Sequence, residues 1–159
     1  MSSTLKRHNP TWALAAGAVA GMRTLTAPAV VSYKMKRLAK AEGQEHPTGL
    51  SAGRTSTLLG LAALGELVTD KLPRTPNRTD PPALIMRGIS GAFAGAAVSG
   101  RDSNARIRGA ILGGLAAVGA AYGMYYLRAW LVKRSGVPDA VVAVGEDALA
   151  LTLAWKAIA

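Results

Sequence analysis

A chain of 159 residues has the length of one domain, and half of it is hydrophobic while only 18% is charged, against about 25% charged in soluble proteins; this excludes an ordinary water-soluble domain and favours a membrane. The apolar content is Ala, Gly, Leu and Val with one Phe and no Cys, which excludes thiol chemistry, disulfides and zinc-thiolate sites and suits helices that approach closely in lipid. The net charge of +10 comes mostly from Lys and Arg flanking apolar runs, where they meet anionic lipid headgroups, and not from a basic soluble face with stacking aromatics such as nucleic acid requires.

Apolar runs able to cross a bilayer lie at about Thr11–Val31, Thr55–Leu72, Ala83–Gly100, Ile107–Val132 and Val137–Ile158, most of them near the roughly 20 residues a spanning helix needs. The first contains Arg23-Thr24-Leu25-Thr26-Ala27-Pro28; Pro28 cannot donate to a helical ladder and Thr26 can cap a new helix, so the run divides into pieces over 11–24 and 27–42. Lys6-Arg7-His8 ahead of this run, with Ala18-Val19-Ala20 inside it, also fits a cleaved signal peptide, and the sequence leaves open whether the first helix is cleaved or re-entrant. Internal similarity argues against cleavage. Gly17-Ala18-Val19-Ala20-Gly21 reappears as Gly91-Ala92-Phe93-Ala94-Gly95, and Leu64-Gly65-Glu66 as Val144-Gly145-Glu146. The chain thereby reads as one membrane domain over 1–159 with related halves at 11–72 and 84–158, each of three helical pieces. With an odd number of crossings per half, the halves are inverted, as in many transporters.

The fold class expected is therefore an all-α polytopic membrane bundle of five to six helical segments with a broken first helix. Counted over five spans, Lys6, Arg7, Lys71, Arg74, Arg78, Arg87, Arg128, Lys133 and Arg134 fall on one side, and Lys34, Lys36, Arg37, Lys40, Arg54, Arg101, Arg106, Arg108 and Lys156 on the other: nine against nine. This tie leaves the Lys/Arg rule without an orientation and leaves dual topology open. Trp12, Tyr122, Tyr125, Tyr126, Trp130 and Trp155 lie largely near span ends, as interfacial anchors do.

Glycines spaced four apart occur at 17/21, 49/53, 91/95, 109/113 and 119/123, four of these pairs within spans. They predict close helix packing inside the chain or in a homo-oligomer. Ionisable residues within spans cost roughly 2.5–3.5 kcal/mol each at a helix centre unless partnered or hydrated. Arg23, Glu66, Glu146 and Asp147 are such residues, one cation against three carboxylates. Arg23 is expected to pair with Glu146 or Glu66, which leaves either a structural ion pair or a proton- or cation-coupled site. Glu66 and Asp70 share a helical face and repel unless Lys71 or Arg74 lies between them. Beyond them, Pro73, Pro76, Pro81 and Pro82 stiffen a loop in which Arg74, Thr75, Asn77, Arg78 and Thr79 could hold a phosphate, a carboxylate or a lipid headgroup. The nucleotide-binding, hydrolase and metal motifs sought are missing, and His8 and His46 stand alone. No catalytic residue, metal or cofactor is called.

Gly65-Glu66-Leu67-Val68-Thr69-Asp70-Lys71-Leu72-Pro73, followed by Pro76-Asn77-Arg78-Thr79, Pro81-Pro82, Arg87 and Ser90-Gly91-Ala92, resembles the hallmark segment of the bacterial membrane family catalogued as domain of unknown function 4126. Gly21-Met22-Arg23-Thr24-Leu25-Thr26-Ala27-Pro28 and Pro138-Asp139 with Gly145-Glu146-Asp147-Ala148-Leu149-Ala150 resemble its other two blocks. The resemblance implies a small multi-pass protein of the bacterial cytoplasmic membrane and supplies no activity. It groups Arg23, Glu66, Asp70, Lys71, Arg78, Glu146 and Asp147 as one constellation. The expected function is a small transporter or channel-like protein for a small ion or anionic solute, with Arg23 and the Arg74/Arg78 loop holding the anionic group and Glu66 or Glu146 taking up a proton or cation. The alternative is a structural or accessory membrane subunit whose charges serve only assembly; a lipid-modifying enzyme is more distant, for want of a nucleophile or metal site.

Overall fold

The computed structural model describes residues 10–44, 48–69, 79–100 and 102–157. Among them are six α-helices and no strand: α1 (Pro10–Met22), α2 (Thr26–Ala41), α3 (Gly53–Thr69), α4 (Pro81–Val98), α5 (Ser103–Ser135) and α6 (Asp139–Ala157), with a 3-10 turn at Gly49–Ser51 before α3. The all-α expectation holds, and the helix ends fall within a few residues of the expected ones.

Local chemistry explains those ends. Pro81 and Pro82 open α4 behind an extended Asp80, where the N–H groups they lack have no helical acceptor. The Asp102 side chain accepts from the Ala105 N–H at 2.9 Å and caps α5, which ends at Gly136 in the left-handed conformation, φ 65°. The break in the first run falls earlier than expected. It lies at residues 23–25, and Pro28 sits inside the first turn of α2, where a proline is tolerated. Thr26 is not the cap either. Leu25 occupies that position and has no side-chain cap of its own.

Helices α1, α4 and α5 form the packed centre, and three of the expected glycine pairs build it. A Cβ placed on Gly17 would overlap the Gly113 backbone, one on Gly21 the Ala117 carbonyl, and one on Gly95 the Gly109 carbonyl. Backbones this close maximise dispersion contact and leave room only for hydrogen at Cα. The other two pairs take no part: Gly49, Gly119 and Gly123 have nothing within 4 Å, and Gly53 meets only the end of Lys36. The core cluster is Ala16, Val19, Ala20, Ala27, Val31, Ala94, Ala117 and Ala154, whereas the bulky residues point outward. Leu58, Leu61, Leu64 and Val68 of α3 are each at least 60% exposed, as are Ile85 and Leu115.

The contacts fix helix direction. Gly17 and Gly21 meet Gly113 and Ala117 in that order, so α1 runs parallel to α5. Gly91 meets Ala117 while Gly95 meets Gly109, so α4 runs antiparallel to both. Ser90 donates to the Thr24 carbonyl, and further along Met35 shares a cavity with Ala97 and Gly100, so α2 follows α4 and therefore doubles back on α1. The first run is thus a helical hairpin whose tip, residues 22–26, is buried: Arg23 and Thr26 are each 3% exposed. The reading of this run as a span that continues to the opposite side is corrected, because hydropathy registers two apolar segments and not the reversal between them. One end of the bundle, the first end, holds Pro10, Ala41, Gly53, Val98, Ser103 and Ala157; the second end holds Thr69, Pro81, Ser135 and Asp139.

The uncharged stretch of α5 from Gly109 through Leu127 is about 28 Å long at 1.5 Å per residue. The hairpin tip lies beside Ala117, about 12 Å along it from Gly109. Among the described helices, the segment Ser103–Arg134 of α5 alone is long and apolar enough to cross a membrane by length and composition.

Candidate functional site

The hairpin tip exposes the backbone groups that every helix end leaves unsatisfied, namely carbonyls at the end of α1 and N–H groups at the start of α2. Charged side chains from other helices meet them, each with the sign that suits the helix dipole. From α4, Arg87 Nη1 donates to the Gly21 and Met22 carbonyls at 2.7 and 2.9 Å. From α3, Glu66 accepts from the Thr24 N–H through Oε1 at 2.6 Å and from the Leu25 N–H through Oε2 at 2.8 Å. Both carboxylate oxygens thereby replace the cap that Leu25 cannot supply. Ser90, one turn after Arg87 on the same face, donates to the Thr24 carbonyl. From α6, Asp147 takes the Arg23 guanidinium in a buried ion pair.

Glu146 and Asp147 are consecutive on α6 and therefore point about 100° apart. Asp147 reaches α1, while Glu146 faces α5, with Arg128 Nη1 at 3.7 Å from its Oε2. Arg128 also forms a bidentate fork on Asp139 at 2.7 and 2.5 Å, which closes the turn between α5 and α6. Asp139 is 60% exposed in this pair. Asp139→Ala is accordingly expected to lower stability by less than about 1 kcal/mol in chemical unfolding of the micelle-solubilised protein. Glu146 itself is 4% exposed and lines an apolar cavity of about 270 Å³ between α5 and α6, together with Arg128, Leu127, Val142 and Leu149.

The structure thus brings Arg23, Glu66 and Asp147 together around the tip and places Glu146 one residue away on a second face. Two expectations change. Arg23 forms a buried ion pair with Asp147, a partner beside the expected Glu146 and Glu66. The count of one cation against three carboxylates also changes, since Arg87 is buried beside the tip and Arg128, partly exposed, reaches Glu146. The sequence signal for Arg87 was present as a lone cation in Ile85-Met86-Arg87-Gly88-Ile89, with Ser90 at the i+3 position; for Arg128 it was an Arg well ahead of the terminal Lys133-Arg134. Thr79 is half-buried just ahead of α4. Asp70, Lys71, Arg74, Thr75, Asn77 and Arg78 lie outside the described residues. No group of three or more His, Asp or Glu able to hold a metal ion occurs among the described residues.

A family model described as Domain of unknown function (DUF4126) matches residues 11–159. Comparisons with curated proteins and with solved structures gave no match.

Proposed function

The chain belongs to the family described as Domain of unknown function (DUF4126), and from that premise we propose that it is a small multi-pass protein of the bacterial cytoplasmic membrane that moves a small ion or anionic solute past a re-entrant helical hairpin. The inverted distribution of size supports the membrane. Alanine and glycine fill the interior while Leu, Ile, Phe and Trp cover the outside, an arrangement costly in water and favourable in lipid. Helix α1 has 13 residues, about 20 Å, too short for a hydrocarbon core of about 30 Å, so α1 and α2 enter and return while α3 to α6 cross. In this reading the halves 11–72 and 84–158 are an inverted repeat whose matching carboxylates have diverged, Glu66 holding backbone N–H groups and Glu146 facing Arg128. Any self-association through glycine has Gly119 and Gly123 available on the outer surface.

The observation that carries the transport reading is the hairpin tip: broken helix ends and buried charge lie near the middle of the α5 apolar stretch, the depth at which transporters place substrate and coupling ions. Glu146 is the coupling carboxylate in this reading. It lines the cavity between α5 and α6, and through the next residue on the same helix, Asp147, it is joined to Arg23 at the tip. Proton uptake by Glu146 weakens its hold on Arg128, shifts α6, and so alters the clamp on the hairpin. Glu66 is excluded from that role by its two backbone bonds. Arg23 holds Asp147 at the tip, so an anionic solute bound there would share the guanidinium with that carboxylate.

Proteoliposomes loaded with a pH-sensitive dye, under a potassium diffusion potential and with a panel of small anions outside, test this. The wild type is expected to give a flux, and Glu146→Gln to lower it at least tenfold while eluting normally in size exclusion. A Glu146→Gln protein with full flux removes the mechanism. A wild type silent across the panel favours the second reading, an accessory subunit, which the use of both Glu66 oxygens for assembly specifically supports.

A further inference from the structure

We infer that the first end of the bundle faces the cytosol, seated on the anionic headgroups of the inner leaflet; this rests on the membrane reading above. The even split of Lys and Arg counted residues by span alone; helix directions in the folded chain place each described cation at an end of the bundle, and burial removes Arg23 and Arg87 from the count. Among the described residues α2 contributes Lys34, Lys36, Arg37 and Lys40 to the first end, and the ends of α3, α5 and α6 contribute Arg54, Arg106, Arg108 and Lys156. The second end has Lys133 and Arg134. Arg23 and Arg87 are buried and do not count, whereas Arg128 is partly exposed beside Asp139 and belongs to the second end. Acids outside the buried interior do not redress the difference, since among the described residues Glu42 and Asp102 lie at the first end and Asp80 and Asp139 at the second. Among the described residues the first end thus has six positive charges in excess and the second one.

Cationic residues close to helix ends are retained on the cytosolic side and meet the negative inner leaflet there. The first end also holds an interfacial anchor. Lys34 Nζ donates to the Trp155 carbonyl at 2.6 Å and lies 5.5 Å from the Trp155 ring centre, and Tyr33 stacks on the same ring at 6.0 Å. Tyr33 and Trp155 are 41% and 55% exposed. Tyrosine and tryptophan next to a lysine, with apolar ring faces and polar edges, fit the headgroup boundary.

The native sequence has no Cys, so single cysteines can be read without a background. Pro10→Cys, Glu42→Cys and Ser103→Cys at the first end, and Ala140→Cys at the second, would be treated with a membrane-impermeant maleimide in intact cells and in inverted inner-membrane vesicles. Ala140→Cys is expected to label only in cells and the other three only in inverted vesicles. A reversed pattern, or labelling of every site in both preparations, overturns the orientation. Labelling of Pro10→Cys and Glu42→Cys from opposite sides overturns the hairpin entry on which it depends. Release of the protein by alkaline carbonate overturns the membrane reading itself and is scored separately. Lys36→Glu, Arg37→Glu and Lys40→Glu combined are expected to convert the single pattern into mixed labelling, and an unchanged pattern overturns the assignment to charge.

Discussion

Arg23→Ala is expected to destabilise the protein by about 3–5 kcal/mol, the loss typical when one partner of a buried ion pair is removed and the other stays behind. Both partners are deeply buried, Arg23 at 3% and Asp147 at 9% exposure, so the stranded Asp147 must take up a proton, draw in water or leave the interior. The effect extends beyond the pair. Arg23 is the first residue past α1 and its N–H still bonds to Val19 at 2.8 Å, so losing its anchor frees the tip that Glu66 and Arg87 cap. Chemical unfolding of the micelle-solubilised protein measures this, with the double variant Arg23→Met/Asp147→Leu as the decisive partner. Replacement of both charges by apolar groups is expected to recover most of the loss. If the double variant is as unstable as Arg23→Ala alone, the destabilisation comes from the tip backbone and the ion pair contributes little. The same double variant divides the functional readings. Folded without flux, it supports a working clamp between α6 and the hairpin; folded with wild-type flux, it assigns the pair to assembly.

How much of this site was legible in the sequence depends on whether the signal is local. The break in the first run could be read from Arg23-Thr24-Leu25-Thr26-Ala27-Pro28, because a proline and hydroxyl residues act on the backbone within a turn of themselves. Its position was displaced because Pro28 fits the first turn of α2 and the cap is supplied by Glu66, 41 residues from Leu25. The charged residues around the tip were legible as residues that lipid does not tolerate alone. Their partners were not: Arg23 and Asp147 are 124 residues apart, and the choice between Glu146 and Asp147 is a rotation of about 100° about one helix, set by how α6 packs. The re-entrant hairpin stayed undecided in the sequence for a related reason. A hydropathy profile is the same whether α2 continues away from α1 or doubles back along α4, and only side-chain contacts such as that of Ser90 with Thr24 distinguish them.

Gly113→Ala tests the packed centre with a single methyl group. An added Cβ at this position would overlap the Gly91 carbonyl oxygen and lie 3.0 Å from both the Gly91 carbonyl carbon and the Gly95 Cα. These neighbours are backbone, so no rotamer change relieves them; α4 and α5 must separate. That separation also opens the seat of α1, because Gly17 rests on the Gly113 backbone from the other side. Overpacking a well-packed interior costs about 1–3 kcal/mol, and a clash with backbone in a three-helix junction places this variant at about 3 kcal/mol or above. Gly119→Ala is the matched control on the same helix. Nothing lies within 4 Å of that position, so the methyl meets no obstacle within the chain and alanine gains up to about 1 kcal/mol in helix propensity. Opposite signs for the two variants in unfolding titrations confirm that α5 buries one glycine face and presents the other outward. Equal losses would mean that Gly119 is also covered, and since the described residues supply no neighbour within 4 Å there, a second copy is the expected cover. Crosslinking of a Gly119→Cys variant then decides: disulfide-linked dimer identifies the copy, and its absence leaves the loss at Gly119 unexplained by packing.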